Sequence, residues 1–172
     1  GLTLPILYLR EAKVFVSNVY EVPADVDNGT GDINYNGSVY IKGNVKSGFK
    51  VIAHGDIVVE GVVEGAELFA DGQIIIKRGI HGMTKGVLDA EGNIIAKFIE
   101  NATVRSGGYI ETESIMHSKV GAYSEIMVSG KKGFVMGGMI RAGQKIEVRS
   151  LGSDMGTMTV VEVGVDPSKK ER

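Results

Sequence analysis

The chain alternates apolar and polar residues in short runs, each preceded by a turn that ends in glycine or a small polar residue. A typical unit is Gly55-Asp56-Ile57-Val58-Val59, and it returns at Gly72-Gln73-Ile74-Ile75-Ile76 and Gly92-Asn93-Ile94-Ile95. Short alternating runs are typical of β-strands that bury one face. No window of comparable length shows the 3.6-residue apolar period of a helix. The pattern therefore predicts an all-β protein.

The spacing of the repeat suits the coils of a solenoid. Seven isoleucines mark it, at steps of 16, 17, 20, 16, 16 and 20 residues: Ile41, Ile57, Ile74, Ile94, Ile110, Ile126 and Ile146. A βαβ crossover needs a dozen or more residues beyond its strands, so it does not fit these steps. We predict a right-handed parallel β-helix with coils of about 16–20 residues, each holding two or three short strands.

Glycine is the residue that we expect to turn the chain at each corner. The chain holds 25 Gly but only 3 Pro. We expect the corner glycines to adopt the left-handed backbone, and Ile and Val to stack inward. A β-sandwich would space its strands by 8–12 residues without one fixed motif. A left-handed hexapeptide helix needs an apolar residue every six positions, and the observed steps break that register.

The pattern along the chain predicts one solenoid with a segment on either side. Residues 1–30 are predicted as an N-terminal strand and cap segment, with apolar Val14, Val16, Val19 and Val22. Residues 31–165 are predicted to form the β-helix, and residues 166–172 to begin a tail that leads to a missing C-terminal region. Because the chain starts at Gly1 and stops on a charged run, we expect both ends to be cut from a longer protein.

Charge and composition exclude several classes of function. Lys and Arg total 19 against 21 Asp and Glu, a net charge of -2, which indicates no nucleic-acid partner. The absence of Cys excludes thiolate metal sites and cysteine catalysis, and suits a reducing cytoplasm. No run reaches the roughly 18 apolar residues of a membrane span. His54, His81 and His117 lack metal-ligand spacing, so we expect no metal and no cofactor.

Two glycine-rich basic stretches coincide with the longer steps of the repeat. Residues 77–86 contain Arg78, His81 and Lys85, and residues 130–139 contain Lys131 and Lys132. Insertions on one face of a solenoid are where binding residues collect, so we predict that these five bind a partner. Both stretches also fit wider corners with solvated charges. In the second, the apolar residues fit either a partner surface or the core: Phe134, Val135, Met136 and Met139.

Carboxylates are the residues on which an enzyme of this shape would depend. Many parallel β-helices cleave acidic polysaccharides with clustered Asp residues and a catalytic Arg or Lys. The aspartates here sit at glycine-flanked turns, where Asp is favoured for its local hydrogen bonds: Asp32, Asp56, Asp71 and Asp89. Aromatic residues make up 6% of the chain and Trp is absent, so platforms for sugar are scarce. We predict no catalytic residues.

Six short sequences between Val19 and Pro167 resemble the flagellar assembly protein A family. They are Gly48-Phe49-Lys50-Val51, Gly61-Val62-Val63-Glu64-Gly65-Ala66, Ala96-Lys97-Phe98-Ile99-Glu100-Asn101-Ala102, Glu113-Ser114-Ile115-Met116-His117-Ser118, Gly130-Lys131-Lys132-Gly133 and Val161-Glu162-Val163-Gly164-Val165-Asp166-Pro167. The resemblance implies a bacterial cytoplasmic protein with a central β-helix followed by a helical C-terminal region. It also implies a link to flagellar assembly and polar localisation.

A second resemblance, over residues 45–72, is to the C-terminal β-helix of the Min-system division inhibitor. That domain dimerises and docks on a membrane-associated ATPase through an Arg-Ser-Gly-Gln corner. The corner here reads Lys46-Ser47-Gly48-Phe49, so Lys keeps the charge without the bidentate fork and Phe replaces the amide. The resemblance implies that these four residues bind a partner. Because Arg105-Ser106-Gly107 repeats the triplet, it also fits a simple β-helix turn.

Together these features predict a non-enzymatic cytoplasmic scaffold or docking domain. The expected partner is a protein, such as a Min-type ATPase or a regulatory protein, or a second copy of the chain. Partners would place it at the cell pole. Two alternatives stay open: a carbohydrate-active β-helix enzyme, and a filament-forming scaffold like the bactofilins.

Overall fold

The computed structural model describes residues 18–152 and 156–164, which form a parallel β-solenoid of eight coils. Each paired strand runs parallel to its neighbour. These residues include no helix, and hence none that could span a membrane. The predicted all-β solenoid is confirmed, and it is consistent with a right-handed β-helix. Val14, Val16 and the predicted tail at 166–172 lie outside the described residues.

Fifteen strands build the coils in this part of the chain. They are β1 (Val19–Val22), β2 (Ile33–Tyr35), β3 (Ser38–Ile41), β4 (Lys50–Ala53), β5 (Ile57–Val59), β6 (Glu67–Ala70), β7 (Ile74–Ala90), β8 (Ile94–Ser106), β9 (Ile110–Thr112), β10 (Ser114–Ala122), β11 (Glu125–Val128), β12 (Phe134–Ala142), β13 (Lys145–Glu147), β14 (Ser150–Leu151) and β15 (Thr159–Val163). Since β1 pairs with β3, the ladder begins inside the segment predicted as a cap.

Each coil passes through three sheets in turn. Sheet 1 holds β1, β3, β5, the starts of β7 and β8, then β9, β11 and β13. Sheet 2 begins with bridges at Val26, Val45 and Val63 and continues through β7, β8, β10 and β12 to β14. Sheet 3 holds β2, β4, β6, the ends of β7, β8, β10 and β12, and β15. The line along which two sheets meet is called an edge, so the solenoid has edge 1–2, edge 2–3 and edge 3–1. Coils are numbered from coil 1, which contains β1, to coil 8, which contains β13.

Branched apolar side chains stack in register along the inside of sheet 1. The column is Val39, Ile57, Ile74, Ile94, Ile110, Ile126 and Ile146. Full burial of one such side chain contributes about 1.5–3 kcal/mol, so the column is a main source of stability. Six of the seven marker isoleucines are confirmed. Ile41 was wrong as the first marker because it pairs with Val59, and Val39 holds its place.

Small side chains fill the core where sheet 3 turns into sheet 1. The column in register there is Ala53, Ala70, Ala90, Ser106, Ala122 and Ala142, all buried. The two sheets converge at this edge, so little side-chain volume fits. Ser106 meets its hydrogen-bonding needs locally: its hydroxyl lies 2.8 Å from the Gly92 carbonyl oxygen and accepts a bond from the Gly108 N–H.

Some corner glycines, such as Gly48 and Gly137, adopt the predicted left-handed backbone, whereas others serve a different purpose. Gly43, Gly61 and Gly72 are absent from the residues with positive φ, so they do not need the left-handed backbone. Instead, a polar side chain of the preceding coil occupies the space beside each: Asp25 beside Gly43, Asn44 beside Gly61 and Asp56 beside Gly72. The Asn44 Oδ1 accepts a 2.8 Å hydrogen bond from the Val62 N–H, and Asp56 Oδ1 accepts one from Gln73. Glycine is thus required by close approach between coils.

Candidate functional site

The nine predicted partner-binding residues fall on two edges of the solenoid. Edge 2–3 carries the corner Lys46-Ser47-Gly48-Phe49 in coil 2, together with His81 and Lys85 in coil 4. Edge 1–2 carries Arg78 in coil 4 and the pair Lys131-Lys132 in coil 7. The structure therefore brings six of the nine to one side and places the other three elsewhere.

The corner at residues 46–49 is held by hydrogen bonds to the next coil. Gly48 lies in the left-handed region at φ 90°, and its N–H donates a 2.8 Å hydrogen bond to the Gly65 carbonyl. The Ser47 hydroxyl donates to the same carbonyl at 3.4 Å. The Lys46 ammonium lies 3.5 Å from Glu64 and stays 43% exposed. Phe49 is partly buried and packs against the core, so its ring supports the corner.

Coil 4 carries a bulged loop within β7 at the same edge, formed by residues 82–85, where the register to coil 5 shifts. Four residues lie between His81 and Gly86, whereas one residue lies between their partner positions Glu100 and Ala102 in coil 5. Met83 and Thr84 both adopt the left-handed backbone, at φ 54° and 63°, and Met83 is 53% exposed. Non-glycine residues pay roughly 1–2 kcal/mol each for that conformation. The loop thus presents an apolar side chain to solvent at a conformational cost.

The loop and the coil 2 corner meet at Gly65. A Cβ on that residue would lie 2.8 Å from the Lys85 Cε and 3.1 Å from its Cγ, so the stem of Lys85 rests on the glycine. Because Ser47 and Gly48 bond the Gly65 carbonyl, three successive coils converge there. We call the surface formed by residues 46–48, Gly65 and 82–85 the docking edge.

His81 lies beside the docking edge on the outside of sheet 2. Its Nδ1 is 3.0 Å from Glu100 Oε1, and its ring centroid is 4.5 Å from that of Phe98. The outward positions of sheet 2 carry Lys46, Glu64, His81 and Glu100 in successive coils, so a basic or imidazole side chain alternates with a carboxylate. The side chain is therefore held in place while remaining half-exposed.

The three basic residues of edge 1–2 lie on separate corners. Arg78 and Lys77 form the corner of coil 4, whereas Lys131 and Lys132 are exposed in the turn between β11 and β12. The stretch 130–139 is not an irregular insertion throughout, because from Phe134 onward it is strand β12. Of its apolar side chains Val135 is core, while the other three are partly exposed on the outside. A partner contact by these residues stays a prediction.

The aspartates of the enzyme alternative each serve a local structural contact. Asp32 and Asp56 accept backbone hydrogen bonds from the next coil, from Lys50 and Gln73. Asp71 lies 3.0 Å from the His54 ring, and Asp89 accepts two hydrogen bonds from Arg105. The bonds from Arg105 to Asp89 raise the pKa of the guanidinium. Within the described ranges, no three His, Asp or Glu side chains group as a metal site would require.

Arg105-Ser106-Gly107, which repeats the Arg-Ser-Gly triplet, forms a turn at edge 3–1. Its arginine is engaged by Asp89 and Glu91, and its serine is buried. The corner at residues 46–48 lies on a different edge, so the shared triplet does not place the two at equivalent positions. The triplet is thus compatible with a plain β-helix turn.

Sequence reasoning missed three features of the docking edge: the exposed tip Met83, the strained Thr84 and the contact at Gly65. The lengthened step of 20 residues was the only signal for the loop. The length of the step does not indicate at which corner the extra residues lie, because that position is known only once the register of the strands is known.

Comparison with known proteins bears on the family of the chain. A family model, the flagellar assembly protein A β-solenoid domain, matches residues 18–172. Searches of curated proteins and of solved structures gave no significant match. The resemblance to the Min-system division inhibitor therefore stays a prediction. With the model matched over nearly the whole length, the chain belongs to the flagellar assembly protein A β-solenoid family.

Proposed function

We propose that this β-solenoid is a non-enzymatic docking domain that binds a protein partner at the docking edge. The observation that carries the proposal is the convergence of three coils at Gly65 around a strained loop with an exposed Met83. Backbone strain persists where the surrounding structure fixes it, and it concentrates at functional surfaces. A plain corner needs no such loop, since the equivalent corner of coil 5 turns on one left-handed residue, Asn101.

The chemistry of the docking edge indicates the kind of partner. Met83 is an adaptable apolar side chain, suited to a shallow apolar pocket. Lys85 makes no ion pair within the described ranges, and Lys46 shares only a 3.5 Å contact with Glu64. We therefore expect a partner with an apolar pocket rimmed by Asp or Glu side chains.

Family membership supports a role in flagellar assembly, and the proposal specifies it as partner recruitment. A Min-type ATPase or a regulatory protein is the class of partner that the corner at residues 46–49 suggests. We propose that the domain acts in the cytoplasm and reaches the cell pole by binding such a partner.

Comparative pull-downs from an extract of a flagellated bacterium test this proposal. The bait is the 172-residue chain, compared with the double variant Lys46→Glu/Lys85→Glu and with the single variant Met83→Ala. We expect a specific protein to be retained by the wild type and reduced roughly tenfold or more by either variant, since few residues carry most binding energy.

Lys119→Glu provides the matched control for charge reversal. Lys119 is an exposed lysine on the outside of sheet 3 and makes no ion pair within the described ranges. We expect this variant to retain the partner as the wild type does. Equal loss with Lys119→Glu, or retention by all variants, would show that the docking edge is not the binding surface.

A further inference from the structure

The outside of sheet 1 carries an uninterrupted apolar column over four coils. Tyr40, Val58, Ile75 and Ile95 are register partners and point away from the core, each partly exposed. In the same coils the outside of sheet 2 carries Lys46, Glu64, His81 and Glu100. In these four coils the outer face of sheet 1 is thus apolar, whereas the outer face of sheet 2 is polar, as is usual for a face in contact with water. Val58, Ile75 and Ile95 form its centre, with Ile75 in the middle.

Charged residues follow this column along edge 1–2 in an ordered sequence. Each takes the register position after the strand: Lys42, Glu60, Lys77, Lys97 and Glu113 in coils 2 to 6. The signs run positive, negative, positive, positive, negative. About coil 4 the flanking charges are opposite at equal distances. Lys97 and Glu113 make no ion pair within the part of the chain that the structure describes.

We propose that a second copy of this chain packs on the outer face of sheet 1, about a two-fold axis that runs along the strands at coil 4. This surface is separate from the docking edge, and the inference does not depend on the proposed function. In this arrangement Ile75 packs on Ile75, Val58 packs on Ile95 of the other copy, and Tyr40 lies opposite Glu111. Glu60 faces Lys97, and Lys42 faces Glu113. Within each copy Glu60 also accepts a hydrogen bond from the Tyr40 hydroxyl, and Lys42 also pairs with Glu21.

Neighbouring registers of the same packing are disfavoured by like charges. An axis moved half a coil toward coil 5 sets Lys77 against Lys97 and Glu60 against Glu113. An axis moved half a coil toward coil 3 sets Glu60 against Lys77, but it also sets Lys42 against Lys97 and Glu21 against Glu111. In the proposed register the like-charge contacts are those of Lys77 and the adjacent Arg78 with their own copies, at the rim of the interface where water screens them. Repulsion between like charges therefore selects the register.

The size of the face fits a reversible dimer. Seven overlapping coils at about 4.8 Å each, and five residues at about 3.3 Å, give roughly 550 Å² per partner. The total of about 1,100 Å² is at the low end of specific interfaces. We therefore expect a concentration-dependent dimer and not a permanent one.

Cysteine cross-linking tests the packing directly, because the natural sequence has no Cys. Ile75→Cys would lie on the two-fold axis, and because packed sheets are about 10 Å apart, too far for a direct disulfide, a short bismaleimide should cross-link the two copies. The matched control is Ile52→Cys, a partly exposed isoleucine on the outside of sheet 3, which should not be cross-linked. A wild-type chain that sediments as a monomer up to about millimolar concentration, or equal cross-linking of both variants, would overturn the proposal.

Charge reversal tests the register. Glu60→Lys and Lys97→Glu should each weaken the dimer about tenfold, as followed by sedimentation velocity, and the double variant should recover most of the wild-type affinity. Circular dichroism would establish that each variant is folded. A double variant that dimerises more weakly than either single variant would reject this register. The register would also be rejected if all three variants dimerised as the wild type does. Partner proteins that block cross-linking at position 75 would instead identify a different occupant of the face and overturn the proposal.

Discussion

At the scale of single residues, the solenoid depends on polar side chains that reach from one coil to the next. Asn44 accepts a hydrogen bond from the Val62 N–H, and its oxygen then occupies the space where a side chain on Gly61 would start. The Gly43 carbonyl oxygen would also lie 2.7 Å from such a Cβ. A flexible side chain could move aside, but the backbone oxygen cannot. The hydrogen bond from one coil to the next therefore requires a glycine at this position.

Substituting Gly61→Ala should destabilise the protein by about 1–3 kcal/mol, as overpacking of a close contact does. The free energy of unfolding from urea denaturation is the measurement. Gly29→Ala is the control, because a Cβ there would meet only an Asp27 side-chain oxygen, at 3.2 Å. Equal effects of both changes would mean that the close approach at Gly61 does not matter for stability.

At the scale of elements, the corner between sheets 2 and 3 is built from one column of left-handed residues. Asn101, His117 and Gly137 occupy equivalent positions in coils 5, 6 and 7, at φ 52°, 49° and 73°. In coils 5 and 6 this single residue turns the chain with no loop, and in coil 7 Gly138 follows in the same conformation at φ 80°. Strands β8, β10 and β12 pass through these residues from sheet 2 into sheet 3.

Changing Asn101→Val should destabilise the solenoid by about 1–3 kcal/mol, because a β-branched residue is poorly tolerated in the left-handed region. Asn101→Gly should change stability by less than about 1 kcal/mol, as glycine adopts this conformation freely. Thermal and urea unfolding of the two variants provide the comparison. Similar losses for Val and Gly would show that the asparagine side chain, and not the backbone, determines the corner.

Elements with a fixed inward residue type could be predicted from the sequence. The isoleucine column of sheet 1 was predicted from its spacing because each coil repeats the same buried position. Ile41 misled the count because Val39 occupies the true position, and both are β-branched residues that point inward on one strand. The role of corner glycines such as Gly43, Gly61 and Gly72 was not predicted, since close approach between coils arises only once the coils are stacked.

At the scale of the whole molecule, the candidate site could be predicted only in part. Lys46 and Lys85 lie 39 positions apart in the sequence, yet Lys46 pairs with Glu64 and Lys85 rests on the adjacent Gly65. Arg78 lies between them in sequence and belongs to another edge. Strand register decides which residues meet at an edge, and a one-residue shift moves a side chain to the other face. Composition and spacing do not carry that information with enough precision.

The solenoid form explains how two binding surfaces would work independently. Each coil contacts only its neighbours, so the outer face of sheet 1 and the docking edge are separate surfaces on one rigid stack. A dimer formed through sheet 1 would present two docking edges. Two linked sites bind a multivalent partner more tightly than one, by effective concentration alone. Scaffolding would thus arise from geometry without a catalytic group.

Amide hydrogen exchange on the 172-residue chain, with and without its retained partner, tests the central claim most directly. The account predicts that binding slows exchange at residues 46–48, at Gly65 and at 82–85, and leaves the outside of sheet 3 around Lys119 unchanged. Protection confined to sheet 3 or to the corner at Lys131 and Lys132, with none at the docking edge, would contradict it.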